Sequence, residues 1–337
     1  MSSPRPTIAD VAHRAEVSIA TVSRVLNRPD LVDAQTAGRV RFAIDELNYT
    51  PHAAARTLAS HRTDTLGLLL PDIGGEFFQP LLQGVEAGVS EAGFDLLIHA
   101  TRTPRSHNAP RRPLGEHNTD GLLVFTESLD TQELTRLHRV GFPVVLLHQT
   151  PPNSLDIPVV TIENQSGAQK ITEHLMDVHG CRRIIFLQGP AGHEDSHWRE
   201  LGYRKALKKH GVPFDPALVA IGGFDSNQAR STVEQLIHHG TDFDAIFSGD
   251  DDSAVGAIHA LRQAGRRIPG DVAVVGFDDS IFAQILTPPL TTVRSPMEQV
   301  GREAVHQLIR IIRGERVELR LVLPTELVIR RSCGCQS

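Results

Sequence analysis

The chain has 337 residues, which is more than one hydrophobic core usually holds, so its length predicts two or three domains. Hydrophobic residues make up 40% and charged residues 22%, which excludes a disordered or fibrous protein. No apolar run approaches the roughly 20 residues of a membrane span, and the first residues lack the apolar block of a secretion signal. We therefore expect a cytoplasmic protein, in keeping with three cysteines that make no disulfide framework.

The formal net charge of −6 is unevenly distributed. Residues 1–62 contain eight arginines and no lysine against six acidic residues, a surplus of +2, whereas the remainder carries −8. The planar donor fork of arginine suits phosphates and guanine edges. The surplus by itself fits a nucleic-acid surface or an ordinary solvated face equally well.

The N-terminal pattern predicts three short helices. Apolar residues at helical spacing follow Thr7, a possible N-cap, and a second run follows Ser18 and ends near Asn27. A third helix is predicted for residues 34–47. Two short helices joined by a tight turn and backed by a third are typical of the helix-turn-helix, which lays its second helix in the DNA major groove. A small three-helix bundle without nucleic acid is the alternative.

The segment HAAARTLASHRT, residues 52–63, is rich in alanine and has a single large apolar residue, Leu58. It lacks the apolar stripe that packs an ordinary helix, so it predicts a helix of marginal stability in isolation.

From Leu66 onward, strand-like apolar runs alternate with helical segments, which is typical of parallel sheets covered on both faces. The predicted strands form a first series at 66–70, 94–99, 121–125 and 144–147, and a second at 159–162, 183–187, 245–247 and 272–277. The predicted helices include 164–178, 197–209 and 251–264, and a last helix, 297–313, with strands near 320–329 that cross back to the first series. The pattern predicts two doubly wound α/β subdomains that bind a ligand at the carboxyl ends of their strands.

The crossover at residues 101–120 is an exception to this pattern. It contains Pro104, Pro110 and Pro113, and proline disfavours a helix interior. We expect an irregular connection with at most one short helix.

Three polar motifs raise the question of metal binding. Residues 193–197 match H-E-x-x-H, but His193 is predicted to lie in a loop before the helix, and Glu200 stands where the longer zinc motif has glycine. Asp250, Asp251 and Asp252 fit a helix cap better than a cation site. Cys333 and Cys335 have no partner pair in the sequence for a closed zinc site, which leaves free thiols or an adventitious metal. The sequence thus predicts no metal site and no cofactor.

With these elements in order, the chain resembles the LacI/GalR family of bacterial transcription regulators along essentially its whole length. The motifs that match the family are TIADVAHRAEVSIATVSRVLN, NYTPHAAARTLA, TLGLLLPDI, GDDDSAVGAIHAL, IPGDVAVVGFDD, LTTVRSPMEQVGREAV and LPTELVIRRSCGC. The resemblance implies an all-α helix-turn-helix headpiece followed by a core of two parallel-sheet subdomains like those of periplasmic sugar-binding proteins. The implied divisions are a headpiece at 1–50, a hinge helix and linker at 51–63, subdomains at 64–160 with about 290–325 and at 161–289, and a tail at 330–337.

The resemblance also assigns residues to DNA. Ile19, Ala20 and Arg24 match the positions that read bases, and Leu58 matches the hinge leucine that wedges into the minor groove. The other implied DNA-binding residues are Thr7, Ser18, Thr21, Ser23, Asn27, Tyr49, His52 and Arg56. His52 stands where the family often has asparagine.

For the effector, the resemblance implies a site between the two subdomains. The matching positions are Asp72, Phe77, Phe78, His148, Glu163, Asn164, His193, Asp195, Arg199, Phe224 and Asp278. Aromatic faces combined with a donor fork and carboxylate acceptors suit a polyhydroxyl ligand. His148 stands where relatives often have aspartate, and His193 stands where a purine-responsive relative has arginine, which weakens a purine assignment.

Together these features predict a homodimeric, effector-responsive transcription regulator that is not an enzyme. The expected form is a repressor that binds a palindromic operator, with a sugar or sugar derivative as the favoured effector. The alternatives are a purine- or nucleoside-responsive regulator, a sugar-binding receptor without DNA function, and an enzyme built on residues 193–197.

Overall fold

The computed structural model describes residues 6–27, 29–49, 62–101, 114–152 and 155–336. They fall into two compact units that divide between Thr63 and Asp64. Residues 51–61 of the predicted hinge segment, with His52, Arg56 and Leu58, lie outside the described residues, as does most of the proline-containing crossover. Within the described ranges, no helix combines the length and apolarity needed to cross a bilayer.

The first unit contains the three predicted helices, α1 Ile8–Arg14, α2 Ile19–Asn27 and α3 Ala34–Glu46. A reciprocal capping box between Thr7 and Asp10 begins α1, and the Ser18 hydroxyl accepts from the backbone N–H of Thr21 at 3.1 Å at the start of α2. The three helices enclose a small apolar core of Val11, Ala12, Ala15, Val22, Val25, Ala37, Val40, Ala43 and Tyr49. Most of the apolar residues that predicted the three helices therefore lie in or against the core of this unit.

The second unit begins with a six-stranded parallel sheet, the N-lobe sheet. Its strands, numbered along the whole chain, are β1 Thr65–Leu70, β2 Asp95–Ala100, β3 Gly121–Phe125, β4 Val144–Leu147, β5 Val159–Ile162 and β11 Arg320–Leu323, in the spatial order β11-β5-β4-β3-β1-β2. Its helices are α4 Phe78–Ala92, α5 Thr131–Arg139 and α11 Met297–Ile312. Helices α4 and α11 pack closely at Gly84 because glycine has no side chain. A Cβ at this position would lie 1.9 Å from the Glu298 carbonyl oxygen.

The assignment of residues 159–162 to the second strand series was wrong. Strand β5 pairs with β4 on one side and β11 on the other, so it belongs to the N-lobe sheet, which extends to Ile162. Strand periodicity is local and carries no information about which sheet a strand joins.

The second sheet, the C-lobe sheet, has four parallel strands. These are β6 Ile184–Gln188, β7 Val219–Ile221, β8 Ala245–Ser248 and β9 Ala273–Val275, in the order β7-β6-β8-β9. The associated helices are α6 Asn164–His179, α7 Glu194–Lys209, α8 Ser226–His238, α9 Asp251–Gln263 and α10 Ile281–Ile285. Strand β7 is absent from the predicted series.

Crossings between the lobes complete the second unit. The chain passes from the N-lobe to the C-lobe between β5 and α6, and returns to the N-lobe between β9 and α11. It leaves the N-lobe again after β11. Strand β10 Thr292–Arg294 pairs antiparallel with β12 Glu326–Val328 on two of these crossings. The prediction that the C-terminal elements cross back to the first series is confirmed for α11 and β11, whereas β12 pairs with β10 outside the N-lobe sheet.

Candidate functional site

The exposed face of α2 is the candidate DNA-reading surface. Ile19 is 52% exposed despite its large apolar side chain, whereas Val22 and Val25 face the core. Ala20 and Arg24 are also exposed, and Thr21 and Ser23 are half-buried. The helix therefore presents its three predicted base-reading positions to solvent and uses its other face for packing.

Other predicted DNA-binding residues have structural roles in the headpiece. The hydroxyls of Thr7 and Ser18 are engaged in helix capping. Tyr49 is 7% exposed and its ring packs in the core, so its assignment to DNA stays a prediction. The side chain of Asn27 lies outside the described structure.

A cavity of about 290 Å³ lies between the two lobes of the second unit. It is bounded by segments that follow β1, β3, β6, β7, β8 and β9, as the strand-end rule for parallel sheets predicts. Eight of the predicted effector residues line it, namely Asp72, Phe77, Phe78, His193, Asp195, Arg199, Phe224 and Asp278. Further lining residues that the sequence did not assign to the effector site include Phe125, Thr126, Glu127, Asp225, Asp250 and Asp252.

Aromatic rings form two parts of the cavity wall. The rings of Phe77 and Phe78 are 5.1 Å apart edge to face, and Phe78 meets Phe125 at 5.2 Å. From the other lobe, Phe224 contacts the imidazole of His193 at 5.1 Å. Such rings offer apolar faces to a ligand and can pack against the C–H faces of a sugar.

Arg199 is the central cation of the site and is only 2% exposed. Its guanidinium lies 3.8 Å from the Phe277 ring centroid and donates to Asn164 Oδ1 at 2.9 Å and to Asp278 Oδ1 at 3.3 Å. It also donates to the carbonyl of Gly249. These partners fix the plane of the guanidinium, and the charge is already neutralised by a protein carboxylate.

Asp195 connects the lobes. Its carboxylate lies 2.7 Å from His148 Nδ1, which follows β4 of the N-lobe sheet, and accepts from Asn164 Nδ2 at 2.7 Å. The pKa of Asp195 is lowered. Burial acts to raise it, but this effect is outweighed by the electrostatic interaction and hydrogen bond with His148 and by the charge of Arg199. His148 and Asn164 thus lie behind the cavity wall, where they hold Asp195.

Glu163 is not brought into this cluster. Its side chain is exposed and lines a neighbouring cavity with Thr150 and Trp198, although Asn164, the next residue, is buried in the Arg199 network. Adjacent residues at a helix start point in different directions, so sequence proximity does not place both in one site.

Carboxylates are concentrated on the C-lobe side of the cavity. Burial raises the pKa of Asp250 to about 7, and the nearby Asp278 charge adds to this effect. Burial likewise raises the pKa values of Asp252 and Asp278, the latter against the opposing charge of Arg199. Asp250 also caps α9 by accepting from the Ser253 N–H at 3.1 Å, so the predicted capping role is confirmed, but the same residue faces the cavity.

The backbone is constrained at three of the predicted effector residues. His148, Phe224 and Asp278 have φ values of 55°, 54° and 107°, in the region that side-chain-bearing residues rarely adopt. Each lies just after a strand, where a sharp turn directs the side chain toward the space between the lobes. Strained backbone of this kind is concentrated at binding sites.

The H-E-x-x-H motif divides between two surroundings. His193 is at the N-cap position before α7 and contacts Phe224, as the predicted loop placement required. His197 is exposed and its ring lies beside Trp198. The two imidazoles therefore do not face a common point.

The statement that Cys333 and Cys335 lack a partner pair was wrong. The structure places His174 and His179, from the last turns of α6, beside both thiols. The two histidines precede the two cysteines by more than 150 positions, which is why spacing within the tail gives no sign of them.

Comparison with known proteins agrees with this architecture. The model of bacterial regulatory proteins of the lacI family matches residues 7–52, and that of the periplasmic binding protein-like domain matches residues 172–333. The HTH-type transcriptional regulator CelR of Thermobifida fusca is 37% identical over 97% of this chain and 98% of its own length. The chain belongs to the LacI family. It is therefore a transcriptional regulator and not an enzyme.

Other members of the LacI family show the same extent of similarity. The ribose operon repressor of Escherichia coli K12 is 32% identical over 96% of this chain and 98% of its own length. A structure of a CelR–cellobiose complex covers 97% of this chain and 100% of its own, at 33% identity and a TM-score of 0.72. The lac repressor dimer bound to operator and the anti-inducer ONPF covers 97% and 99%, at 25% identity and a TM-score of 0.83.

Proposed function

We propose that this LacI-family regulator is a repressor that binds a palindromic operator as a homodimer and responds to a neutral sugar held between the lobes of its second unit. The observation that carries the effector assignment is the combination of aromatic walls with acidic side chains around one cavity. A sugar presents many hydroxyl donors, which the carboxylates of this cavity can accept. It also presents apolar C–H faces, against which the phenylalanine rings can pack.

The charge of the cavity argues against an anionic effector. Asp72, Glu127, Asp225, Asp250, Asp252 and Asp278 all line it. The guanidinium of Arg199 is already engaged by Asp278 and Asn164. A phosphorylated or carboxylated ligand would meet repulsion from these acids without a free cation to offset it. The cellobiose bound in the CelR complex agrees with a neutral ligand.

For DNA, we propose that α2 enters the major groove with Ile19, Ala20 and Arg24 toward the bases. Arg24 suits guanine, and a dimer would read two related half-sites. Leu58, outside the described residues, is proposed to wedge into the minor groove at the centre of the operator, as implied by the family pattern.

The effector proposal is tested by titrating the full chain with cellobiose, ribose and a purine nucleoside, with thermal shift and calorimetry as readouts. A bound sugar at a hundred times its Kd adds about 2.7 kcal/mol of stability. Binding of a sugar supports the proposal. Binding of the nucleoside alone would show that the site is purine-responsive and overturn it.

The operator proposal is tested by selecting duplexes that the protein binds from a random library. Gel shifts with the selected duplexes are then run with and without the sugar. Enrichment of a palindrome whose complex is changed by the sugar supports a dimeric, effector-responsive regulator. Enrichment of single half-sites would contradict the dimer.

A further inference from the structure

Two histidines and two cysteines converge where the C-terminal tail meets the end of α6. We call this group, His174, His179, Cys333 and Cys335, the tail cluster. One possible ligand atom from each residue lies within 4.8 Å of the others. The cluster is separate from the cavity between the lobes, none of whose lining residues belongs to it.

Four of the six distances between the ligand atoms of the tail cluster match those of a tetrahedral zinc site, and all six are within 4.8 Å. The Nε2 atoms of His174 and His179 are 3.3 Å apart. His174 Nε2 is 3.5 Å from the sulfur of Cys333 and 3.7 Å from that of Cys335, and His179 Nε2 is 3.5 Å from the sulfur of Cys335. Usual zinc bond lengths in a tetrahedron separate two nitrogens by roughly 3.3 Å and a nitrogen from a sulfur by roughly 3.5 Å.

The backbone of the tail is built for this convergence. Gly334, between the two cysteines, has a φ of 115°, and a Cβ at this position would lie 3.1 Å from His179 Nδ1. A side chain there would combine unfavourable backbone geometry with a crowded approach to the imidazole. Glycine therefore lets both thiols turn toward the same point.

Neighbouring residues anchor the tail independently of the cluster. The Ser332 hydroxyl donates to the carbonyl of Val274 at 2.6 Å and accepts from the N–H of Thr291 at 2.8 Å. The hydroxyl of Thr291 donates to the sulfur of Cys333 at 3.1 Å. This hydrogen bond orients the sulfur of Cys333, and such outer partners of metal ligands tune metal affinity.

We propose that the tail cluster is a structural zinc site with four protein ligands. Two thiolates balance the charge of a divalent cation, and a tetrahedral set of two sulfurs and two nitrogens is typical of zinc. Four protein ligands leave no open position for substrate or water, so the ion has a structural role. It cross-links the tail to α6, a helix whose first residue, Asn164, belongs to the Arg199 network.

The site is tested on the full chain without an affinity tag, purified in the absence of chelators. Elemental analysis is expected to find one zinc per chain. After the metal is removed under reducing conditions, added Co²⁺ is expected to give the intense visible bands of a tetrahedral site and the near-ultraviolet absorption of thiolate-to-cobalt charge transfer. Chelation is expected to lower the melting temperature, and added zinc to restore it.

Substitutions separate the tail cluster from other histidines and cysteines. Cys335→Ser and His179→Ala are expected to lose the bound zinc and the thiolate–cobalt absorption. Thr291→Val keeps all four ligands and is expected to weaken zinc binding about tenfold, because it removes the hydrogen bond to Cys333. The matched controls are His197→Ala, at the exposed histidine of α7, and Cys181→Ala, at the buried third cysteine, and both are expected to keep the metal.

Three results would overturn the proposal. The first is wild-type protein that contains no zinc and takes up neither zinc nor cobalt after reduction. The second is undiminished zinc in Cys335→Ser or His179→Ala. The third is a Cys333–Cys335 disulfide in freshly purified protein, found by thiol titration under denaturing conditions, that persists when zinc is supplied during expression.

Discussion

The imidazole of His148 and the carboxylate of Asp195 form a buried pair across the two lobes of the effector core, with 2.7 Å between Nδ1 and Oδ2. His148 follows β4 of the N-lobe sheet and Asp195 lies in the first turn of α7. Next to this pair, the backbone N–H of Thr150 donates to Glu194 at 2.7 Å. The lobes are thus joined at the edge of the cavity by polar contacts that any opening or closing motion must change.

Replacing His148 with alanine is expected to weaken this junction. Asp195 retains Asn164 as a donor but loses its hydrogen bond to His148 while still buried, at a cost of about 1–3 kcal/mol. Chemical denaturation measures the loss, and calorimetry should show a changed sugar affinity because the ligand binds between the same lobes. Thr150→Val, which removes only the nearby exposed side-chain contact, is the control and is expected to cost less. Equal stability of His148→Ala and wild type would contradict the role of the pair.

Asp250 is expected to make stability depend on pH. Its folded pKa of about 7 lies above the usual aspartate value, so the folded state retains a proton that the unfolded chain releases. Stability from this group is therefore present at low pH and is lost as the pH rises from about 4 to about 7. Asp250→Asn keeps an oxygen to cap α9 and stays neutral at every pH. Its melting temperature relative to wild type should therefore be higher at pH 8 than at pH 5.

The control for Asp250→Asn is Asp130→Asn, an amide at the exposed N-cap of α5, where the carboxylate accepts from the Glu133 N–H. At each pH, the change in melting temperature relative to wild type is compared for the two variants. If Asp250→Asn and Asp130→Asn show the same change at pH 5 and again at pH 8, burial of Asp250 is not the source of the pH dependence.

Asp278 is expected to accept a hydrogen bond from the sugar. Its Oδ1 is held by Arg199 and by the Ser295 hydroxyl at 3.0 Å, which fixes the carboxylate toward the cavity. Asp278→Ala should weaken sugar binding by about 1.5–3 kcal/mol, on the order of 10- to 100-fold, because it removes a charged acceptor. Calorimetry measures this effect, and Asp271→Ala, at an exposed aspartate paired with Arg267, should leave the affinity unchanged. Undiminished affinity in Asp278→Ala would remove it from the site.

Arg24 is expected to supply sequence discrimination. Arg24→Ala should reduce the preference for one base pair in each half-site by about 1–3 kcal/mol. Competition gel shifts against operators substituted at single positions measure this preference. Arg39→Ala, at an exposed arginine of α3, is the matched control and should preserve the preference even if it lowers affinity for all sequences. Retention of full discrimination by Arg24→Ala would contradict the reading role of α2.

Local signals in the sequence were enough to predict most helices and strands and the family. The three headpiece helices follow from apolar residues at helical spacing and from capping side chains at Thr7 and Ser18, which are local signals. The strands from Leu66 onward follow from apolar runs. Eight of the predicted effector residues line the cavity because segments at the carboxyl ends of parallel strands converge in this fold.

Contacts between residues far apart in the chain become visible only in the folded molecule. Strand β5 joins the N-lobe sheet because β4 and β11 flank it, and nothing within residues 159–162 encodes those neighbours. The capping acid Asp250 has its pKa raised because folding buries it near Asp278, and Glu163 turns away from the cavity that its neighbour Asn164 supports. The tail cluster forms because α6 and the tail end at the same place. Spacing along the chain reports local periodicity, whereas contacts across such distances depend on how whole elements pack.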